Sequence, residues 1–438
     1  MARRQLASAD NSIKRRYWWE VQLTTRVDVA IIGAGPYGLS IAAHLSAVDV
    51  EHRVFGVPME SWQAHMPPGM YLKSDPEYSN LSDPEANFTL EEYSREQRFA
   101  YDPYKIPVSL QNFIAYGRAF QARWVPQVEA RRLVTLRTAN LGHELTFDYG
   151  EPVIARHVVI ATGVVSFKHT PTDLLHLPRA LVSHSGDYGS LDGLKGKEVV
   201  ILGSGSSALD LAALLSMQGS SVTVIARNPK LDFQPTPGSR TLSLLRRQLR
   251  RLYAPSSHGL GDGWHMRICA EAPQVIHVLP DKIRSAILSR TLGPSGGYFI
   301  RDQVEKKVGL KLGRVLQKAE EHRGRVRLTT VASNGAHETI DSDHIVAATG
   351  YKVDMHRLAF LSSRTLEGLR MVDNTPILSA NFESSVRGLY FVGLASARSF
   401  GPALRFVMGA VHPARRLARV LPGSLLRHSI SMSAATSS

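Results

Sequence analysis

One supersecondary pattern occurs twice in this 438-residue chain, and it restricts the fold more tightly than any other feature. The first copy opens with the β-branched run Val27-Asp28-Val29-Ala30-Ile31-Ile32, the kind of strand that is buried on both faces of a parallel sheet. Gly33-Ala34-Gly35-Pro36-Tyr37-Gly38 follows, then a helical stretch from Leu39 to Ala47 and a second apolar run from Val50 to Phe55. The second copy reads Glu198 to Leu202, Gly203-Ser204-Gly205-Ser206-Ser207-Ala208, a helix from Leu209 to Met217 and a strand from Ser221 to Ala226. Strand, glycine turn, helix and strand in so short a span is the unit of a doubly wound α/β sheet. Carrying it twice, 170 residues apart, the chain is predicted to build two such sheets.

The glycine spacing has a physical meaning. Gly33 permits a tight turn, Gly35 lets a pyrophosphate approach the backbone, and Gly38 lets the helix pack close to the strand. The phosphates then rest on a helix N-terminus, where free N–H groups and the dipole favour anions. The second loop keeps Gly203 and Gly205 and has Ala208 in the third place, with Ser206 and Ser207 adding hydroxyls. Arg227 falls 24 residues after Gly203, at the end of the second strand. An acid there suits the ribose 2′-OH of NAD, and an arginine suits the 2′-phosphate of NADP. The alternative for Arg227 is a solvated surface charge. Two nucleotide loops in one chain imply two cofactors.

Between the copies the sequence predicts an amphipathic helix at about 110–124, then strands at 133–136, 144–147 and 157–160. After the second copy come a helical, basic stretch at about 240–290, strands at 325–331 and 339–347, a strand at 388–392 and a helix from about 401 to 419.

Composition narrows the chemistry. At 43% hydrophobic and 21% charged residues the chain is in the globular range. Cys269 is its one cysteine, which excludes an internal disulfide, a CxxC redox pair and a thiolate zinc cage. The 17 histidines lack HExxH-type spacing or a matched carboxylate, so no metal site is expected. The segments Gly203-Ser204-Gly205 and Gly296-Gly297 are not read as a nucleophile elbow. The N-terminal stretch has no apolar h-region, and the most apolar window, Leu209 to Met217, is short and carries Asp210. A soluble, cytoplasmic protein is expected. The net charge of +14 is concentrated: six Arg/Lys against two acids in residues 1–26, seven against one in 227–251, and five against none in 401–438, leaving the rest nearly neutral. The run 227–251 reads foremost as a solvated basic face, with a weak membrane-surface contact as the alternative and no nucleic-acid partner expected.

Beyond the two loops, Ile160-Ala161-Thr162-Gly163 and Ala347-Ala348-Thr349-Gly350-Tyr351 end the two β-rich stretches, and Val386-Arg387-Gly388-Leu389-Tyr390-Phe391-Val392-Gly393 precedes the C-terminal helix. With these segments the chain resembles the NADPH-dependent flavin monooxygenases with two dinucleotide-binding domains, the flavin-containing and N-hydroxylating monooxygenases, over roughly residues 27–420. The resemblance implies two Rossmann-like domains, with an NADPH domain inserted into an FAD domain. The expected division is a flexible basic leader at 1–26, an FAD domain at 27–165 and 341–421, an NADPH domain at 166–340, and a Ser-rich tail at 422–438.

By the same resemblance, FAD is held by Gly33, Gly35, Pro36, Gly38, Trp62, Lys73, Ser74, Thr162, Gly163, Gly393 and Leu394. NADPH is held by Gly203, Gly205, Ser206, Ser207 and Arg227, and Gly350 and Tyr351 of the second Ala-Thr-Gly segment are further cofactor-binding residues. Trp62, Met66, Met70 and Lys73-Ser74 fall beside the isoalloxazine, where an aromatic stacks and a cation steadies negative charge. Ordinary loop and core packing is the alternative for each of them. The helix beginning near Pro402 would aim its N-terminus at the flavin. The flavin carries the chemistry, so Lys73 and His184 are the only catalytic candidates named. The implied reaction reduces FAD with NADPH, forms a C4a-(hydro)peroxyflavin with O2 and passes one oxygen to a small molecule, in N- or S-oxygenation or a Baeyer–Villiger step.

The chain departs from the family pattern in two places. The fingerprint before the second loop is Pro178-x-Ala180-x-x-x-His184-x-x-x-Tyr188, without its usual Phe and Gly. Gly56 stands where an acid commonly holds the adenosine ribose. Two other readings remain: an FAD-dependent NAD(P)H reductase serving a quinone or protein acceptor, and a scaffold that keeps a cofactor only as structure.

Overall fold

Val29 to Ile32 have almost no exposed surface, and the strand they form, β1 (Thr25–Ile32), takes a central place in its sheet. In the computed structural model, which describes residues 25–103, 106–139, 142–236, 264–291, 293 and 295–436, β1 is flanked by β2 (His52–Phe55) and β6 (Val153–Ile160), both parallel to it. β3 (Val128–Glu129) extends one edge, and β4 (Leu133–Ala139) and β5 (Gly142–Phe147) add an antiparallel meander beyond β6. The register brings Phe55 level with Ile32 and Ile32 level with Ile160. The loops that begin at Gly33, Gly56 and Ala161 therefore emerge side by side at the carboxyl edge, where open α/β sheets bind ligands.

A second sheet is built from β7 (Val182–His184), β8 (Glu198–Leu202), β9 (Ser221–Ala226), β10 (Gly309–Leu312) and β14 (His344–Ala347). Its order is β10-β9-β8-β14-β7. Leu202 pairs with Ile225 on one side and Ala347 on the other, so Gly203 emerges between the ends of β9 and β14. A three-stranded antiparallel sheet, β11 (Arg314–His322), β12 (Arg325–Ala332) and β13 (His337–Ser342), lays Ala319, Val326 and Leu328 over Ile225 and Ile345.

Packing shows the insertion directly. One hydrophobic core unites residues 27–167 with 355–425, and two others lie within 174–348. The last strand, β15 (Leu389–Phe391), returns to pair in parallel with β6, with Phe391 level with Ile160.

Several sequence expectations change. The predicted strand at 339–347 is two strands in different sheets, because the chain turns at Asp343, whose N–H bonds the Glu198 carbonyl. β14 thereby completes the inserted domain rather than the return. Part of the basic stretch at 240–290 lies outside the described residues. Its visible helices, Trp264–Glu271, Pro273–His277 and Asp281–Arg290, pack on the return segment instead of the second sheet. His277 stacks on Phe400, His412 Nε2 bonds the Ala270 carbonyl, and Arg398 pairs with Asp281. The excursion is pinned at its base, where Gln234 N–H bonds the Gly296 carbonyl and Gly296 N–H bonds Asp232.

The single helix predicted for 401–419 is also divided. Short turns at Pro402–Arg405 and Val407–Ala410 precede a helix from Val411 to Thr436. Tyr37 donates to the Leu404 and Phe406 carbonyls, both 2.9 Å away, and so binds acceptors that a continuous helix would use internally. The four-residue turn at Pro402 does not supply the helix dipole expected there. The segment 422–436 continues the last helix instead of leaving it as a tail, because Leu421 and Leu425, one turn apart, are buried in the main core. Among the described residues, no helix is long and apolar enough to cross a membrane.

Candidate functional site

Each glycine loop backs onto one of the Ala-Thr-Gly segments. A Cβ at Gly33 would lie 2.4 Å from the Ala161 carbonyl oxygen, and one at Gly203 would lie 2.4 Å from that of Ala348. Both glycines have positive φ, +112° and +132°, so turn geometry and close approach alike require glycine there. At Gly38 a Cβ would meet the Gly33 carbonyl oxygen at 1.8 Å, which is the contact between helix and turn.

Gly35 and Gly205 differ from these. They are the N-caps of α1 (Pro36–Ser46) and α2 (Ser206–Met217), with φ of −89° and −76°, values open to any residue. A Cβ on either would meet nothing within 4 Å. Neither cap has a side-chain hydrogen bond. Neither backbone strain nor packing within the chain explains these glycines. Each leaves an open cradle before the free N–H groups of a helix of eleven or twelve residues, and that is the shape and polarity a pyrophosphate needs.

Around the first cradle, Gly393 is buried with φ +67°, and its Cβ would approach the Tyr37 ring at 3.9 Å. Gly393 thus stands next to α1. Thr162 and the exposed Gly163 follow the end of β6 at the same edge. Trp62 packs edge-on against Phe113 with ring centroids 4.6 Å apart. Gly56 has φ +127° and its N–H bonds the Glu129 carbonyl at 2.8 Å, so this glycine serves a strained turn. Around the second cradle, Ser207 is exposed, whereas Ser206 bonds Asp210. Arg227 is exposed beyond β9, and no hydrogen bond or ion pair among the described residues engages it.

The two catalytic candidates are used otherwise. His184 Nε2 bonds the Gly350 carbonyl at 2.9 Å and its Nδ1 accepts the Gly186 N–H at 3.0 Å. Burial pushes its pKa below 6.5. A neutral ring with both nitrogens engaged by backbone has no position left for general acid or base work. His184 joins β7 to the Gly350-Tyr351 hinge, and Tyr351 sits against its ring edge at 5.3 Å. Lys73 Nζ lies 2.8 Å from Asp210 Oδ2, and both side chains are nearly inaccessible, at 7% and 5%. That ammonium also donates to the Tyr71 carbonyl and rests over Phe299. It is committed to a buried ion pair between domains and is not a free cation beside a cofactor.

Asp210, Gln234 and Phe299 are the residues that sequence reasoning passed over. Asp210 left one trace, as a lone acid inside the otherwise apolar run Leu209 to Met217. Burial raises its carboxyl above the usual range, opposed by Lys73 and Ser206. Cys269 is buried, which raises its thiol, and the chain has no second cysteine to pair with it.

The fold and the two cradles define a two-domain α/β protein of the dinucleotide-binding oxidoreductase type. The chain belongs to the pyridine nucleotide-disulphide oxidoreductase family, which matches residues 30–258. It is 27% identical over 206 residues to indole-3-pyruvate monooxygenase YUCCA1 of Oryza sativa subsp. japonica, covering 45% of this chain and 47% of that protein. Over 107 residues it is 35% identical to the ferredoxin–NADP reductase of Acidiphilium cryptum, covering 24% of this chain and 32% of the reductase. The matches thus span half or less of these relatives. Among solved structures, the ornithine N-hydroxylase of Kutzneria sp. 744, in complex with reduced FAD, NADP+ and L-ornithine, superposes with a TM-score of 0.71. The match covers 91% of this chain and all of that one at 15% identity, a likeness of fold.

Proposed function

We propose that this chain is an FAD-containing, NADPH-dependent monooxygenase acting on a small molecule. The observation that carries the reading is the pair of open cradles at Gly35 and Gly205 in one chain, since two helix N-termini with reserved space call for two dinucleotides. The residues present fit those groups. Gly33, Gly35, Pro36 and Gly38, with Thr162-Gly163 and Gly393-Leu394 at the same edge, would hold FAD. Gly203, Gly205 and Ser207 would hold the NADPH pyrophosphate, with Arg227 as the cation for its 2′-phosphate.

Bound FAD would supply the redox chemistry, taking a hydride from NADPH and passing electrons to O2, one oxygen atom of which goes to a nitrogen, sulfur or carbonyl centre of the substrate while the other, with a proton from solvent, leaves as water. The protein's part is placement. The α1 and α2 N-termini would bind and orient the two pyrophosphates, and Trp62, packed edge-on against the buried Phe113, would help keep water from the flavin. The His184 bond would hold the Gly350-Tyr351 segment, where the chain leaves the inserted domain.

The test is purified protein, its visible spectrum, and NADPH consumption across a panel of amines, sulfides and ketones, with mass spectrometry for oxygen derived from O2. A flavin spectrum with substrate-coupled oxygen incorporation supports the reading. Flavin-dependent NADPH oxidation that needs a quinone or ferredoxin, without oxygen incorporation, establishes the reductase instead. The likeness of a 107-residue stretch to a ferredoxin–NADP reductase is what keeps that second reading.

A further inference from the structure

Three separate segments of the inserted domain converge on one residue of the first. Asp210, on α2, meets the Lys73 ammonium at 2.8 Å. Phe299, on the strand-free return near Gly297, lies under that ammonium with its ring centroid 5.0 Å away. Gln234, beyond the end of β9, donates from Nε2 to the Lys73 backbone carbonyl at 2.5 Å. The rest of the 64–73 loop follows the same surface. His65 Nδ1 lies 3.0 Å from the Gly186 carbonyl oxygen. A Cβ at Gly69 would touch Leu214 of α2 at 3.0 Å, and one at Gly189 would meet the Ala64 carbonyl oxygen at 2.9 Å.

Asp210 stands five positions beyond Gly205 on the same rigid helix. At 1.5 Å of rise per residue it is about 7.5 Å along the axis from the second cradle. A contact that fixes Asp210 therefore fixes the cradle as well. Lys73 belongs to the loop that leaves the first cradle's domain and crosses to α2. A charge pair shielded from water in this way is strongly directional, because either partner displaced alone is a buried, uncompensated charge.

We infer that Lys73 and Asp210 are a positioning pair that sets the register of the second cradle on the first domain, so that what the two cradles hold face one another. The pair acts through geometry and touches neither nucleotide. The inference rests on the two-dinucleotide reading for its kinetic consequence, but not for the structural one.

The experiment compares Lys73→Met, Asp210→Asn and the charge-swapped double variant Lys73→Asp/Asp210→Lys with the parent chain. Two readouts are needed. Hydrogen exchange of the 64–73 amides reads the interdomain contact without any turnover. It should accelerate by about tenfold or more in each single variant and recover in the swap. Anaerobic rapid mixing reads flavin reduction by NADPH against reduction by dithionite. Reduction by NADPH should slow by about tenfold or more with its apparent KM changed by less than about threefold, and reduction by dithionite should stay the same. Unchanged exchange in both single variants overturns the inference, as does a loss confined to NADPH affinity. If the parent chain carries no flavin, the functional reading fails while the exchange data still decide the positioning role. If Lys73→Met fails to fold, Lys73→Gln, which keeps a donor for the Tyr71 carbonyl without the charge, takes its place.

Discussion

His184 Nε2 lies 2.9 Å from the carbonyl oxygen of Gly350, a residue 166 positions away at the point where the chain leaves the inserted domain. The bond links the last residue of β7 to the second Ala-Thr-Gly segment, and the Gly186 N–H holds the other ring nitrogen. Replacing His184 by Ala leaves the buried Gly186 amide without its partner, while the Gly350 carbonyl keeps the His169 N–H, and should destabilise the protein by about 1–3 kcal/mol in urea unfolding. The pH profile of turnover should keep its shape. Disappearance of an ionisation from that profile would restore His184 as an acid or base.

Gly35 and Gly38 separate binding from folding within one loop. Gly35→Ala adds a methyl group where nothing lies within 4 Å and the backbone is unstrained, so the melting temperature should hardly change. The same methyl group occupies the cradle, and FAD affinity should fall by about tenfold or more, read by retained flavin after dialysis. Gly38→Ala drives a Cβ into the Gly33 carbonyl and should cost about 3 kcal/mol or more of stability. Equal flavin loss and equal destabilisation in the two variants would contradict the assignment.

Gly205→Ala should act in the second cradle as Gly35→Ala does in the first, weakening NADP+ binding by about tenfold or more in calorimetry while flavin is retained. Arg227 is exposed and unengaged among the described residues, so Arg227→Ala should leave stability within about 0.5 kcal/mol. It should raise the apparent constant for NADPH much more than that for NADH. Equal effects on the two would remove the 2′-phosphate role.

Stability should depend on pH through buried histidines. Burial holds His143, His184, His344 and His412 below the ordinary 6.5. The folded state then binds fewer protons than the unfolded chain between their folded pKa values and 6.5, so stability rises with pH across that window. It is fully present above 6.5 and is lost as pH falls below. Melting temperature should drop between about pH 7 and pH 5, and the slope should be shallower in His143→Asn, whose parent ring bonds the Arg387 carbonyl. A flat profile over this range would refute it.

Local sequence was enough to identify the two strand–turn–helix units and the cradles. Their causes are short-range: β-branched runs make buried strands, and Gly33 and Gly203 occupy backbone conformations open to few other residues. The register of β1, β2 and β6 at a common edge follows from those same runs. Even the position of Arg227, just past the end of β9, was legible, because it depends on counting residues along one unit.

Only the tertiary structure decided what depends on residues distant in the chain. Lys73 read as a free cation beside a cofactor because its partner, Asp210, is 137 residues away on another domain, and no local rule carries that separation. His184 read as a possible acid for the same reason, its partner being Gly350. The C-terminal helix read as starting at Pro402 because helical pattern does not reveal that Tyr37 takes the Leu404 and Phe406 carbonyls. Propensity and spacing are local quantities, whereas the charge state and freedom of a buried side chain are set by whatever the fold brings against it.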